Sequence, residues 1–112
     1  MEITARTWKE WKIISIDGTF VVKNLMRIRK VFDEVEKRAG PLIALDLTKT
    51  SHIDSSAITL MLNFQRRVLS NNGKLVVFGP NEDIMGIFSI VGFDNAIPVY
   101  RSRTDFETSF AL

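Results

Sequence analysis

Short strand-like apolar segments alternate along this chain with longer amphipathic helical patterns, and this alternation constrains the possible folds more than any other feature. The helical patterns, in which apolar residues recur at steps of three and four, cover residues 24–39, 55–70 and 81–91. The strand-like segments between and after them cover residues 42–47, 75–78 and 97–100, and a short terminal helix is predicted for residues 105–112. Because helical crossovers join parallel strands, we predict an α/β fold with a mixed, mostly parallel sheet of about four to five strands and interleaved helices.

The first two strands are predicted between Ile3 and Asp17 and are expected to form an antiparallel hairpin. Trp8 and Trp11 flank two polar residues that can form a tight turn, and the segment after Trp11 is rich in β-branched residues. Asp17 followed by glycine is a turn signal, so the second strand is expected to end there. This antiparallel pair is the reason for predicting a mixed sheet.

The composition predicts a single globular domain that spans residues 1–112. Hydrophobic residues make up 46% of the sequence and charged residues 25%, and the lack of cysteine leaves no disulfides or thiolate metal sites. The 15 basic and 13 acidic side chains are interleaved, so we expect no direct nucleic-acid binding. The start of the sequence lacks a signal-peptide pattern and no apolar segment reaches the length of a membrane span, so we expect a cytoplasmic protein without membrane insertion.

Residues suited to catalysis are scarce. His52 is the single histidine of the sequence, and no serine lies in the G-x-S-x-G turn of a hydrolase, so His52 is expected to be an exposed or capping loop residue. A metal site would have to be built from Asp46, His52 and Asp54, and no glycine-rich phosphate loop follows a strand. We therefore expect no enzymatic activity, no cofactor and no metal.

The most informative local feature is Asp54-Ser55-Ser56, which lies where the second helix begins. One interpretation is simple capping, in which Asp54 accepts hydrogen bonds from the free amides of the first turn. The other is a switch, in which Ser55 is phosphorylated at the electropositive helix start and the added charge repels a docking protein. The residues alone leave both interpretations open. Asn24 is expected to cap the first helix in the same way as Asp54.

The chain resembles the STAS family (sulfate transporters and anti-sigma factor antagonists) in segments spread over almost its whole length. The segments are residues 14–18, the strand at 42–47, the signature Ile53-Asp54-Ser55-Ser56-Ala57-Ile58 and residues 73–77. The resemblance is to the family's bacterial anti-sigma factor antagonists, and it implies that Ser55 is the phosphorylation site, with Asp54 in support and Ser56 as a second candidate. It also implies two protein partners, an anti-sigma factor with serine kinase activity and a phosphatase, and a role in sigma-factor-dependent transcription.

The sequence also departs from the family pattern. Thr19 and Val21 occupy positions where the family often has Glu and Asp, and Ala57 replaces a glycine of the signature. The alternative function is therefore a STAS scaffold or regulatory module of a signalling complex, or a soluble subunit of a membrane transport assembly.

A monomer or weak homodimer is expected. The residues predicted to bind the partner are Gly18, Thr19, Phe20, Val21, Asn24, His52, Asp54, Ser55, Ser56, Thr59, Asn63 and Arg66.

Overall fold

One mixed sheet of six strands forms the centre of the computed structural model, which describes residues 1–38 and 40–111. The strands are β1 (Glu2–Trp8), β2 (Trp11–Phe20), β3 (Leu42–Asp46), β4 (Thr50–Ile53), β5 (Lys74–Phe78) and β6 (Val99–Tyr100). The helices are α1 (Leu25–Glu36), α2 (Ser55–Ser70), α3 (Glu82–Val91), α4 (Phe93–Ala96) and α5 (Arg103–Ser109), and a 3-10 turn covers Val22–Asn24. The predicted α/β class is confirmed, with one strand more than expected.

The predicted hairpin is present, but its second strand is longer than expected. β1 and β2 are antiparallel and in register from Glu2 opposite Asp17 to the two tryptophans beside the turn. The strand end predicted at Asp17 is wrong, because β2 continues to Phe20. Gly18 adopts a φ of +113°, which glycine tolerates, and the pairing register with β4 shifts directly after it. Gly18 therefore lies where the pairing changes register, with Ser51 of β4 as the extra residue, and not at the end of the strand.

The polar segment before α2 forms β4, although the sequence pattern predicts no strand there. β3 pairs with β2 in parallel only as far as Ser15, and β4 pairs in parallel with the last residues of β2 beyond that point. The buried Thr50 hydroxyl fixes this pairing, since its Oγ1 donates to the carbonyl oxygen of Ile16 at 2.7 Å. Backbone pairing therefore creates β4 without the apolar alternation on which strand prediction depends.

Helices α1, α2 and α3 cover one face of the sheet with apolar side chains, and the stripe predicted for α2 is confirmed in full. The α2 stripe is buried and consists of Ala57, Leu60, Met61, Phe64 and Val68. β3 lies in the middle of the sheet, and its central residues Ile43, Ala44 and Leu45 are each 0% exposed. Burial on both faces explains why this strand is a continuous apolar run.

Helix α5 covers part of the opposite face through a cluster of aromatic rings. Phe106 of α5 is fully buried, and its ring centroid lies 5.1 Å from those of Trp11 and Phe78. The half-buried rings around it are Trp8, Tyr100 and Phe110. The helix begins at Arg103, two residues before its predicted start, and the predicted end at Leu112 lies outside the described residues.

The connections between helices differ from the prediction in two places. α1 ends at Glu36, and its predicted end at Ala39 lies outside the described residues. Asn71, which follows α2, donates from Nδ2 to the carbonyl oxygens of Glu36 at 3.3 Å and Arg38 at 2.8 Å, so it caps the end of α1. α3 ends at Val91, as predicted, and Gly92 follows it in the left-handed conformation, but the unpredicted α4 begins directly after that glycine.

Candidate functional site

The start of α2 is capped as the sequence predicts. Asp54 precedes the helix in an extended conformation, with φ of −124° and ψ of −178°. Its Oδ1 accepts a hydrogen bond from the backbone N of Ala57 at 3.1 Å and another from the hydroxyl of Ser56. The first of these bonds engages an amide of the first helical turn, so the capping role of Asp54 is confirmed.

The same carboxylate joins two segments that are distant in sequence. Asp54 Oδ2 accepts a hydrogen bond from the backbone N of Val22 at 3.0 Å, so the turn between β2 and α1 lies against the start of α2. The hydrogen bond from Ser56 is the largest cause that lowers the pKa of Asp54 below its ordinary value of 3.8, with the amides of Val22 and Ala57 adding to it, while partial burial acts in the opposite direction. The carboxylate is therefore ionised at neutral pH and occupied by donors, which suits a structural group and not a general base.

Replacing Asp54 with alanine is expected to lower the free energy of unfolding by about 1 to 2 kcal/mol at neutral pH, because the cap and the contact with Val22 are both lost. The folded pKa lies below 3.8, so the stabilisation is present above that value and is lost as the pH falls through the folded pKa. Urea unfolding of both proteins at neutral and acidic pH measures this difference. It should shrink in acid, and an unchanged difference would contradict the role given to the ionised carboxylate.

The two serines after Asp54 differ in accessibility. Ser55 is the first residue of α2 and is exposed, and within the described residues its hydroxyl takes part in no hydrogen bond. Ser56 is half-buried, and its hydroxyl donates to Asp54. A visiting enzyme can therefore reach the Ser55 hydroxyl more readily than that of Ser56.

A shallow, mostly apolar groove lies beside Ser55, between the first turns of α2 and the end of α3. It has a volume of about 290 Å³ and is lined by Ile53, Asp54, Ser55, Ile58, Thr59, Ile87 and Val91. Val91 is 54% exposed, although the sequence pattern places it on the inner side of its helix. Since α3 ends at this residue, the side chain lies at the margin of the core and contributes to the surface.

Exposed apolar side chains lie on two segments that adjoin this groove, the one that begins with the turn bound to Asp54 and the end of α3. On the α1 side, Val22 and, four residues later, Met26 are 67% and 86% exposed. On the α3 side, Ile90 and Val91 are 86% and 54% exposed. These four side chains, called the apolar flanks below, are four of the five exposed large apolar side chains in the described part of the chain. Exposed apolar side chains gathered in one region are typical of protein–protein contacts.

The predicted partner-binding residues at the end of β2 and in the turn before α1 are less accessible than expected. The half-buried ones are Gly18, Thr19, Val21 and Asn24. Asn24 was predicted to cap α1, but its side chain makes no capping hydrogen bond. Its Nδ2 instead donates to the carbonyl oxygen of Thr19 at 2.8 Å and to the Oγ1 of Thr19 at 3.0 Å. Including Phe20 in the surface is wrong, since its side chain is 0% exposed and its ring contacts that of Phe32.

The predicted contact residues on β4 and on the outer side of α2 are exposed, namely His52, Thr59, Asn63 and Arg66. His52 was predicted to lie in a loop, but it lies on β4 opposite Thr19. At the helical rise, Asn63 and Arg66 lie about 12 Å and about 16 Å along α2 from Ser55. They therefore lie beyond the groove and extend the predicted surface along the helix.

Within residues 1–38 and 40–111, histidine and acidic side chains form no group of three that could hold a metal ion. Asp46, His52 and Asp54 therefore do not form the metal site that the sequence allowed. Each helix in this described part of the chain is too short or too polar to cross a lipid bilayer.

Sequence reasoning missed the residues that make this surface apolar. Val22 lies in the turn that a long-range hydrogen bond joins to the α2 cap, so no local pattern places it there, and Met26 follows it in the first turn of α1. Ile90 does leave a signal, because it lies outside the stripe of α3 that contains the buried Ile84 and Phe88. An isoleucine on the outer side of an amphipathic helix is a reason to look for a partner.

Comparison with known sequences identifies related proteins over most of the chain. The family model described as STAS domain matches residues 2–106. An anti-sigma-B factor antagonist from Listeria monocytogenes is 20% identical over 86 residues, which cover 77% of this chain and 75% of that protein.

Solved structures share the fold at low sequence identity. An anti-sigma-factor antagonist (STAS) domain protein from Planctomyces limnophilus matches with a TM-score of 0.88 at 16% identity, and the match covers 98% of each chain. The Bacillus cell fate determinant SpoIIAA in its phosphorylated form matches with a TM-score of 0.71 at 15% identity, covering 96% of this chain and 99% of that one. Since the family model spans nearly the whole sequence, the chain belongs to the STAS domain family.

Proposed function

We propose that this protein is an anti-sigma factor antagonist whose docking is switched off by phosphorylation of Ser55. Unphosphorylated, it binds a cytoplasmic anti-sigma factor with serine kinase activity through the start of α2, and this frees the sigma factor. Phosphorylation by that kinase ends the contact, and a separate phosphatase restores it, so the protein itself catalyses no step. The observation that carries the proposal is the exposed Ser55 hydroxyl at the start of α2, beside an apolar groove.

The helix start can accommodate a phosphate on Ser55. The first amides of α2 point away from the helix without helical acceptors, and together they give this end a partial positive charge. A phosphoserine brings nearly two negative charges at neutral pH, next to the ionised Asp54. The local charge therefore changes from about −1 to about −3.

The surface around Ser55 is sensitive to that change because it is apolar. The groove is lined on its α2 and α3 sides by Ile58 and Ile87, and the apolar flanks lie on the segments that adjoin it. A partner that covers these side chains also removes water from Ser55. Desolvating a neutral hydroxyl costs little when it finds a hydrogen-bond partner, whereas desolvating an unpaired phosphate costs much more. Phosphorylation would thus turn a favourable contact into an unfavourable one.

Two relatives support the class of partner and the mechanism. The Listeria protein is named as an antagonist of an anti-sigma factor, and SpoIIAA has a structure in a phosphorylated form. In this chain, Thr19 and Val21 stand where the family often has acidic residues, and Val22 and Met26 add exposed apolar surface close by. We therefore expect the partner's contact surface to be more apolar than basic.

Mapping the phosphate tests the proposal directly. We expect incubation with the serine kinase anti-sigma factor of the same organism and Mg-ATP to add one phosphate, found on Ser55 by mass spectrometry. Ser55→Ala should abolish the incorporation, and Ser56→Ala should retain it, because the Ser56 hydroxyl is engaged by Asp54. Phosphate on Ser56, or on neither serine, would contradict the proposal, and the second result would favour a regulatory scaffold instead.

A further inference from the structure

Strand β1 is an edge of the sheet with one side unpaired. The strands follow the order β1-β2-β3-β5-β6, so β1 pairs with β2 alone. It is seven residues long, and its residues Glu2, Thr4, Ala5, Arg6 and Thr7 are exposed. A strand with a free edge offers a row of amide and carbonyl groups to another strand. Arg27 Nη1 donates to the carbonyl oxygen of Met1 at 3.2 Å, which ties the start of this segment to α1.

The charges on β1 are arranged symmetrically about Thr4. Glu2 lies two residues before it and Arg6 two residues after it, so all three side chains point to the same face of the sheet. Charged residues usually protect an edge strand from pairing, because like charges meet. Here an antiparallel partner with the same sequence, centred on the same threonine, would place each acid opposite a base.

We propose that β1 pairs with β1 of a second copy of this chain, antiparallel and with Thr4 opposite Thr4. Glu2 of each copy then faces Arg6 of the other. Within one copy Glu2 lies opposite Asp17 of β2, and in the described part of the chain none of these three charged residues forms an ion pair within 4.0 Å. The dimer therefore supplies a positive charge where the isolated sheet places two acids side by side.

The backbone is compatible with this register. Trp8 and Trp11 flank a two-residue turn and so exchange hydrogen bonds with each other. Along an antiparallel pair, residues that bond to the neighbouring strand alternate with residues that do not. Since Trp8 bonds to β2, the even-numbered residues of β1 do so too, and the odd-numbered ones, among them Ile3 and Ala5, direct their amides to the free edge. Centring the pair on Thr4 sets Ile3 opposite Ala5 of the second copy. The free amide and carbonyl groups of these two residues then face each other and can form hydrogen bonds. On the α1 side this also gives the half-buried Ile3 an apolar neighbour.

Charge reversal tests the proposal independently of the Ser55 switch. By sedimentation velocity or light scattering over a range of concentrations, we expect a reversible dimer. Glu2→Arg and Arg6→Glu should each raise its dissociation constant about tenfold, because each creates two pairs of like charges across the new edge. The double variant with both changes exchanges the charges and should restore the affinity of the original protein.

Glu10→Arg serves as the matched control, because it makes the same charge change in the exposed hairpin turn, outside the paired residues. It should dimerise like the original protein. Equal melting temperatures would confirm that the exposed substitutions leave the fold intact. A chain that is monomeric at every concentration, single variants that dimerise as well as the original, or a double variant that stays dissociated would each overturn this pairing.

Discussion

Replacing Phe64 with alanine is expected to lower the free energy of unfolding by about 3 to 5 kcal/mol. Phe64 lies on the inner stripe of α2 and is 0% exposed. Its ring stacks on that of Phe32 of α1, with centroids 4.4 Å apart and an interplanar angle of 17°, and Phe32 in turn contacts Phe20 of β2. Removing the ring leaves a cavity where α1, α2 and the sheet meet, and the rigid surroundings can fill it only in part.

Urea unfolding measures this loss, and α2 itself offers the control. Leu69 lies on the same helix and is 55% exposed, so Leu69→Ala removes apolar atoms with little burial. We expect that variant to change the free energy of unfolding by no more than about 0.5 kcal/mol. If Phe64→Ala cost no more than Leu69→Ala, the aromatic stack would not hold the two helices together.

The inner stripes of the helices were predictable because their periodicity is local. Leu60 and Phe64 repeat at a helical interval, and the burial of both follows from that spacing. The end of β2 was not predicted, although a signal for it exists. Ile14 and Ile16 point to the helical face, and the same alternation reaches Phe20 if the strand is allowed to continue through the glycine. The turn signal was interpreted as the end of the strand, although it marks the point where the pairing with β4 changes register.

The candidate site was predictable only in part, because one of its contacts joins residues that are distant in sequence. The cap at Asp54 and the serines after it depend on residues adjacent in sequence, and capping preferences describe them well. The contact between Asp54 and Val22 joins residues 32 positions apart, and no local pattern encodes it. That contact brings one of the apolar flanks to the start of α2. The amphipathic pattern likewise counts Val91 as core and overlooks its position at the end of the helix.

A negative charge on Ser55 is expected to weaken binding to the kinase partner by at least about thirtyfold, since an unpaired charge buried in a contact costs about 2 to 5 kcal/mol. This expectation rests on the proposed function. Ser55→Asp should show the effect, and the phosphorylated protein should show it more strongly because its charge is larger. Ser55→Ala should bind within about threefold of the original protein, because a small neutral side chain leaves the apolar contact intact.

Ser70→Asp separates this effect from a general consequence of added charge. Ser70 is exposed at the other end of α2, about 22 Å from Ser55 along the helix, so the same substitution there lies away from the proposed contact. Calorimetric titration of the kinase with the three variants gives the comparison. Ser70→Asp should bind like the original protein. If Ser55→Asp and Ser55→Ala bound equally well, the α2 start would not sense charge, and the switch would have to lie elsewhere on the domain.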